Sequence, residues 1–239
     1  MKKIFSLVIM TLALLPTTAL AQEEPELAKA SEVEAYVKAD FISHYMWRGT
    51  DMGGISIQPE LGISWRGFSL GVFGNAGFDK DDIKELDITL GYENSGFNIG
   101  ITDYWASGTD PEDRYFFYKD KETAHQWEAN IGYTCKYGSI QAYTMFAGND
   151  YKANGDRAYS TYVELSVPFR LGNLDWDARV GITPKESAEY EKFTCNMASL
   201  RATKSFEFKH LELPVFAELH ANPYLQKAQF LVGVGFKVF

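Results

Sequence analysis

Long apolar runs are almost missing from this chain. Ile4–Leu15 is the main one, about a dozen residues and too short to cross ~30 Å of hydrocarbon as a helix. No later window holds roughly 18 consecutive apolar residues, which excludes a helical membrane protein. Basic residues are also short, 23 against 32 acidic ones. Such a surface argues against binding nucleic acid or anionic headgroups through charge. Cysteine occurs only twice, and proline 8 times against 20 glycines, a balance that leans towards many short strands and turns. What is plentiful is aromatic: 14 Tyr, 17 Phe and 5 Trp, within a hydrophobic share of 46%, too apolar for disorder.

Met1–Ala21 has the three parts of a secretory signal. Lys2 and Lys3 form a charged start, Ile4–Leu15 an apolar centre, and Ala19-Leu20-Ala21 a small-x-small cleavage pattern. Cleavage near Ala21 leaves 21 basic and 32 acidic residues, a net charge of −11. Residues 22–32 are polar, acidic and broken by Pro25, and they predict a flexible periplasmic lead-in. Residues 33–239 then form one all-β unit, a size common for barrels.

From Val33 onward the apolar residues recur with a period of two. Ile55, Ile57, Pro59, Leu61, Ile63 and Trp65 alternate with polar residues or glycine, and the pattern returns along the chain as far as Phe230, Val232, Val234, Phe236 and Val238. Twelve candidate strands of about 9–12 residues result, long for a soluble sheet and suited to a tilted bilayer crossing. Two- to four-residue connections alternate with longer polar ones, as short periplasmic turns and long external loops do in an outer-membrane barrel. Aromatics collect at both strand ends. Trp47, Trp105 and Trp127 mark the external belt, while Trp65, Phe68, Tyr92, Phe97, Tyr133, Phe169 and Phe236 mark the periplasmic one. The expectation is an antiparallel transmembrane β-barrel with both ends of the chain in the periplasm of a Gram-negative cell. Outer-membrane lipid surrounds it, and the terminal Phe239 is a signal for the barrel-assembly machinery.

If apolar side chains face lipid, their neighbours face the lumen. That set includes Lys38, Asp40, His44 and Arg48 near the first strand, then Glu60, Glu85, Asp87 and Glu128. Farther on it includes Glu164, Asp175, Asp177, Arg179, Arg201 and Glu218, with Lys136, Glu212 and His220 on the same parity. Twelve strands lie between the eight that side chains fill and the sixteen that leave an open channel. A narrow pore for passive passage of small hydrophilic solutes, with mild cation preference, and a structural or surface-binding barrel closed by internal ion pairs both fit. Arg48 is expected to pair with lumenal carboxylates near the external rim.

Sites for chemistry are sparse. Ser43 and His44, with Asp40 nearby, suggest a hydrolase, but neighbours on one strand point to opposite faces. No nucleophile elbow, metal-ligand spacing or cofactor motif occurs. Cys135 and Cys195 fall at opposite ends of their strands, too far apart for a disulfide. Thr109–Asp113 with Asp120 does not reproduce a calcium loop. Tyr115–Tyr118 fits an inward plug, an outer-leaflet contact or a binding surface.

Ser43-His44-Tyr45-Met46-Trp47-Arg48-Gly49, followed by Gly53, Gly54 and Pro59 and then Gly67, Phe68, Gly71, Gly91, Tyr92 and Gly100, resembles the TorF-type porin family. His44 stands where that family usually has Asp. The resemblance implies an outer-membrane porin barrel of unassigned solute.

Overall fold

A computed structural model describes residues 33–107, 114–119 and 121–238. The signal sequence, the lead-in, the acidic stretch Thr109–Asp113 with Asp120, and Phe239 lie outside the described residues. Fourteen strands follow in chain order: β1 (Val33–Ile42), β2 (Tyr45–Trp47), β3 (Thr50–Gly53), β4 (Ser56–Trp65), β5 (Phe68–Gly77), β6 (Lys84–Asn94), β7 (Phe97–Ser107), β8 (His125–Cys135), β9 (Gly138–Gly148), β10 (Thr161–Leu171), β11 (Leu174–Thr183), β12 (Thr194–Phe208), β13 (Leu211–Asn222) and β14 (Lys227–Val238). Twelve of them close into an antiparallel barrel in which β1 pairs with both β4 and β14. The other two, β2 and β3, form a separate hairpin.

One end of the barrel has two-residue turns, such as Arg66-Gly67 and Ser95-Gly96. Both residues of each turn have positive φ, the conformation that matches strand twist in a tight hairpin. At Gly67 the close approach is also steric, because a Cβ there would lie 2.4 Å from the Glu93 carbonyl. Longer connections occupy the other end, as the spacing of apolar runs predicts. Val33 and Val238 both lie at the short-turn end.

Burial is inverted relative to a soluble protein. Leu61, Val167 and Val232 are about half exposed on the outer face, whereas Asp87, Glu128, Glu218 and His220 are buried inside. So continuous an apolar exterior suits hydrocarbon, and closure leaves no strand edge unpaired in it. At the short-turn end the aromatic belt is built from cross-strand pairs: Phe68 with Tyr92 at 4.8 Å, Phe97 with Tyr133 at 4.6 Å and Phe169 with Trp176 at 6.0 Å. Trp65 and Phe236 stand exposed in the same belt.

Cys135 ends β8 at the short-turn end, Cys195 opens β12 at the other, and both are free thiols. A thiol-reactive maleimide should therefore label the exposed Cys135 in the folded barrel much faster than the half-buried Cys195. Equal rates would contradict these positions.

Candidate functional site

Two short strands and one tight turn make the lumenal feature. Tyr45–Trp47 pairs with Thr50–Gly53 around Arg48-Gly49, whose φ values are 48° and 86°. Two successive left-handed residues give the type I′ geometry, with glycine at the second position. This hairpin folds into the barrel. The Tyr45 hydroxyl donates to Glu85 on β6 at 2.7 Å. Ile42, Tyr45, Phe216 and Leu231 form a buried apolar cluster, and Met46, Trp47 and Met52 pack against it. Phe216 and Leu231 lie on the inward faces of β13 and β14, so the lumen carries an apolar patch that the hairpin covers.

The tip is locked to both sides of the lumen. Arg48 donates to both carboxylate oxygens of Glu128 on β8, at 2.6 and 2.8 Å, and Tyr104 donates to the same carboxylate at 2.9 Å. The guanidinium also lies 4.5–4.7 Å from the ring centres of Tyr143, Trp47 and Tyr162. A charge on three aromatic faces in a bidentate fork exploits what is specific to arginine. On the other side, the Asn196 and Asn222 side-chain amides donate to the carbonyls of Arg48 and Gly49, at 2.9 and 3.1 Å. A Cβ on Gly49 would come within 1.8 Å of the Asn196 carbonyl oxygen, so glycine is required sterically as well as conformationally. Tyr190, from the connection before β12, meets Asn222 at 3.4 Å, and burial pushes its phenol above the ordinary range.

The hairpin borders a cavity of about 300 Å³. One wall holds Glu218, which accepts from Arg179 at 2.8 Å, from Arg201 at 2.6 Å and from the His220 Nδ1 at 3.1 Å. Arg179 also contacts Asp177 at 2.9 Å. Asp40 and Glu164 line the cavity too, Glu164 accepting a 2.9 Å hydrogen bond from Tyr162. Towards the short-turn end, Lys38 pairs with Glu60 at 2.7 Å, and Tyr36 donates to the same carboxylate.

A second polar cluster sits outside the barrel. His125 is fully buried, with Nδ1 2.8 Å from Asp103 and Nε2 2.6 Å from the Tyr115 carbonyl. Its ring stacks on Trp127 and meets Tyr118 at 4.6 Å. The Tyr115–Tyr118 segment is thereby clamped over the outer faces of β7 and β8, leaving Phe116 87% exposed. His125→Ala should release the segment, seen as faster chymotrypsin cleavage there with the barrel core intact. Unchanged cleavage would show that other contacts hold it.

The sequence profile of a family described as "Bacterial protein of unknown function" (Gcw_chp) matches residues 26–201. The chain belongs to this family. No curated protein matches the Gcw_chp chain by sequence. Among solved structures it is similar to outer membrane phospholipase A from Escherichia coli, at 10% identity and TM-score 0.40, covering 86% of this chain and 92% of that one. It is also similar to the CymD monoaromatic hydrocarbon channel, at 12% identity and TM-score 0.40, covering 87% and 88%. A Salmonella typhi OmpF complex with daunomycin gives 9% identity and TM-score 0.34, covering 87% and 98%.

In this Gcw_chp barrel several expected positions are corrected. Trp47 is not part of the external belt, because the hairpin carries it inside, where its ring meets Tyr104 at 5.9 Å. Trp105 and Trp127 do lie on the outer face, beneath the Tyr115–Tyr118 segment. Asp175 faces Arg170 at 3.8 Å at the short-turn rim, with both side chains more than half exposed, so it stands outside the central network. Lys136 is in the β8–β9 turn and packs against Tyr137. The inward plug comes from Tyr45–Gly53, not from Tyr115–Tyr118. Ser43 and His44 serve different partners: the Ser43 hydroxyl accepts from the Val232 amide, and His44 meets Asp51 at 3.0 Å. The residues missed were Tyr104, Tyr143, Tyr162, Asn196 and Asn222. Inward parity would have placed the three tyrosines had uncharged side chains been counted. Phe216 and Leu231, apolar on a polar face, were the available sign that something packs inside.

Proposed function

We propose that this barrel is an outer-membrane channel for small hydrophilic solutes with a preference for cations, held closed by the β2–β3 hairpin. The observation carrying the reading is the polar cavity of about 300 Å³ bordered by a hairpin whose contacts are with separate strands of the wall. A passage needs polar walls and a central space, and both are present. Cation preference follows from Asp40 and Glu164, which add to the paired carboxylates, so that lumenal carboxylates outnumber lumenal cations. The barrel should fractionate with outer membranes after signal cleavage, with Phe239 addressing the assembly machinery.

Planar-bilayer recording of the purified protein tests the reading. Brief, small openings with a reversal potential favouring K⁺ over Cl⁻ in a salt gradient are expected. The lock around Arg48 favours a second reading, a permanently closed structural barrel. Absence of current, both in the natural chain and after removal of the hairpin, would establish that reading instead.

A further inference from the structure

We propose that the lumenal cavity binds small aliphatic diamines, gripping one protonated amine at Asp40 and the other at Glu164. This inference rests on the channel reading and names its solute class.

Two carboxylates in the cavity have no ion-pair partner among the described residues. Three guanidinium groups border the cavity, and each is committed: Arg48 to Glu128, Arg179 to Glu218 and Asp177, Arg201 to Glu218. Lys38, the other cation close to Asp40, is held by Glu60. Among the described residues, Asp40 and Glu164 have no cation within ion-pair reach, and the one side-chain hydrogen bond to Glu164 comes from Tyr162. Carboxylates facing a confined space without a direct ion-pair partner favour a cationic occupant. An anion would find every guanidinium already neutralised. His220 adds an unpartnered ring nitrogen on the same wall. It is 4% exposed, and with Nδ1 turned to Glu218 its Nε2 has no partner among the described residues.

Size and placement narrow the class. A cavity of about 300 Å³ corresponds to roughly ten waters, too large for one bare ion. No group of three His, Cys, Asp or Glu side chains among the described residues converges closely enough to hold a metal. The two carboxylates belong to β1 and β10, which are five strand steps apart one way round the barrel and seven the other. They therefore face each other across the lumen. Their depth is also similar, since Asp40 is the third residue from the long-loop end of β1 and Glu164 the fourth from that end of β10. Two acceptors on opposite walls at one level suit a molecule with a cation at each end and a short apolar middle. Phe216 and Leu231, largely covered by the hairpin, add apolar edges to the cavity wall.

Equilibrium dialysis of the detergent-purified full barrel with radiolabelled putrescine, n-butylamine and butane-1,4-diol tests this directly. Putrescine should bind saturably and about tenfold or more tightly than butylamine, because it makes one additional charge-assisted contact. The diol should show no saturable binding. Asp40→Asn and Glu164→Gln should each reduce putrescine to the butylamine level, with heat-modifiable gel migration confirming that each variant is folded. Diol binding as tight as diamine binding, or putrescine binding indifferent to both substitutions, would overturn the assignment. Bilayer recording on the same preparations separates the two claims. Putrescine binding without current supports the site and overturns the channel, whereas current without putrescine binding overturns the site alone.

Discussion

Arg48→Ala is expected to destabilise the folded barrel by about 3–5 kcal/mol, the range found when one partner of a buried ion pair is removed. Glu128 is 2% exposed, and without Arg48 its carboxylate keeps Tyr104 as its side-chain donor while the hairpin still covers it. The three aromatic rings around the guanidinium lose their shared cation at the same time. The check is the temperature at which the compact, heat-modifiable band converts to the unfolded one on a gel. Arg48→Lys should recover only part of the loss, because an ammonium is a point charge and cannot make the bidentate fork. Adding Glu128→Gln to Arg48→Ala should restore stability relative to Arg48→Ala alone, since the uncompensated charge is then gone. Strictly additive losses would show that the pair is not coupled.

The barrel was legible because its signal is repeated. Each crossing strand alternates over about ten positions, and closure demands that all of them agree in phase, so weak segments such as Gly138–Gly148 are carried by their neighbours. The interior was legible in direction but not in partnership. Parity placed Arg179, Arg201 and Glu218 inside, yet only the fold brings β11, β12 and β13 into register so that two arginines meet one carboxylate. The hairpin was hidden for a different reason. Its strands are three and four residues long, too brief for a period to show, and Arg-Gly is a weaker turn signal than Asn-Gly. Trp47 reads as an interfacial aromatic when the chain beyond β1 is taken as a straight continuation of that strand. In the fold, the chain leaves β1 at Ile42 and turns inward. The motif Tyr45-Met46-Trp47-Arg48-Gly49 thus specifies a lumenal lock rather than the top of a strand.

Excising the hairpin is expected to open the lumen. Ile42 on β1 and Ser56 on β4 are direct register partners, so a two- or three-residue turn can join these neighbouring strands without disturbing the barrel. The excised chain loses Arg48, but water then reaches Glu128 and Glu85, so the penalty of an unpaired buried carboxylate largely disappears. It should therefore be more heat-resistant than Arg48→Ala, although it lacks more contacts. Its current should rise from brief openings to a persistent cation-selective level. Gly49→Ala should move the natural chain in the same direction, because the added methyl meets the Asn196 carbonyl and the left-handed turn becomes strained by about 1–3 kcal/mol. Each ~1.4 kcal/mol spent against the closed state raises the ratio of open to closed barrels roughly tenfold. Single-channel recording distinguishes the cases: open time should lengthen from the natural chain to Gly49→Ala to the excised chain. If the excised barrel, shown to be folded by its gel migration, conducts no more than the natural one, the constriction lies elsewhere in the lumen and the hairpin is not the gate.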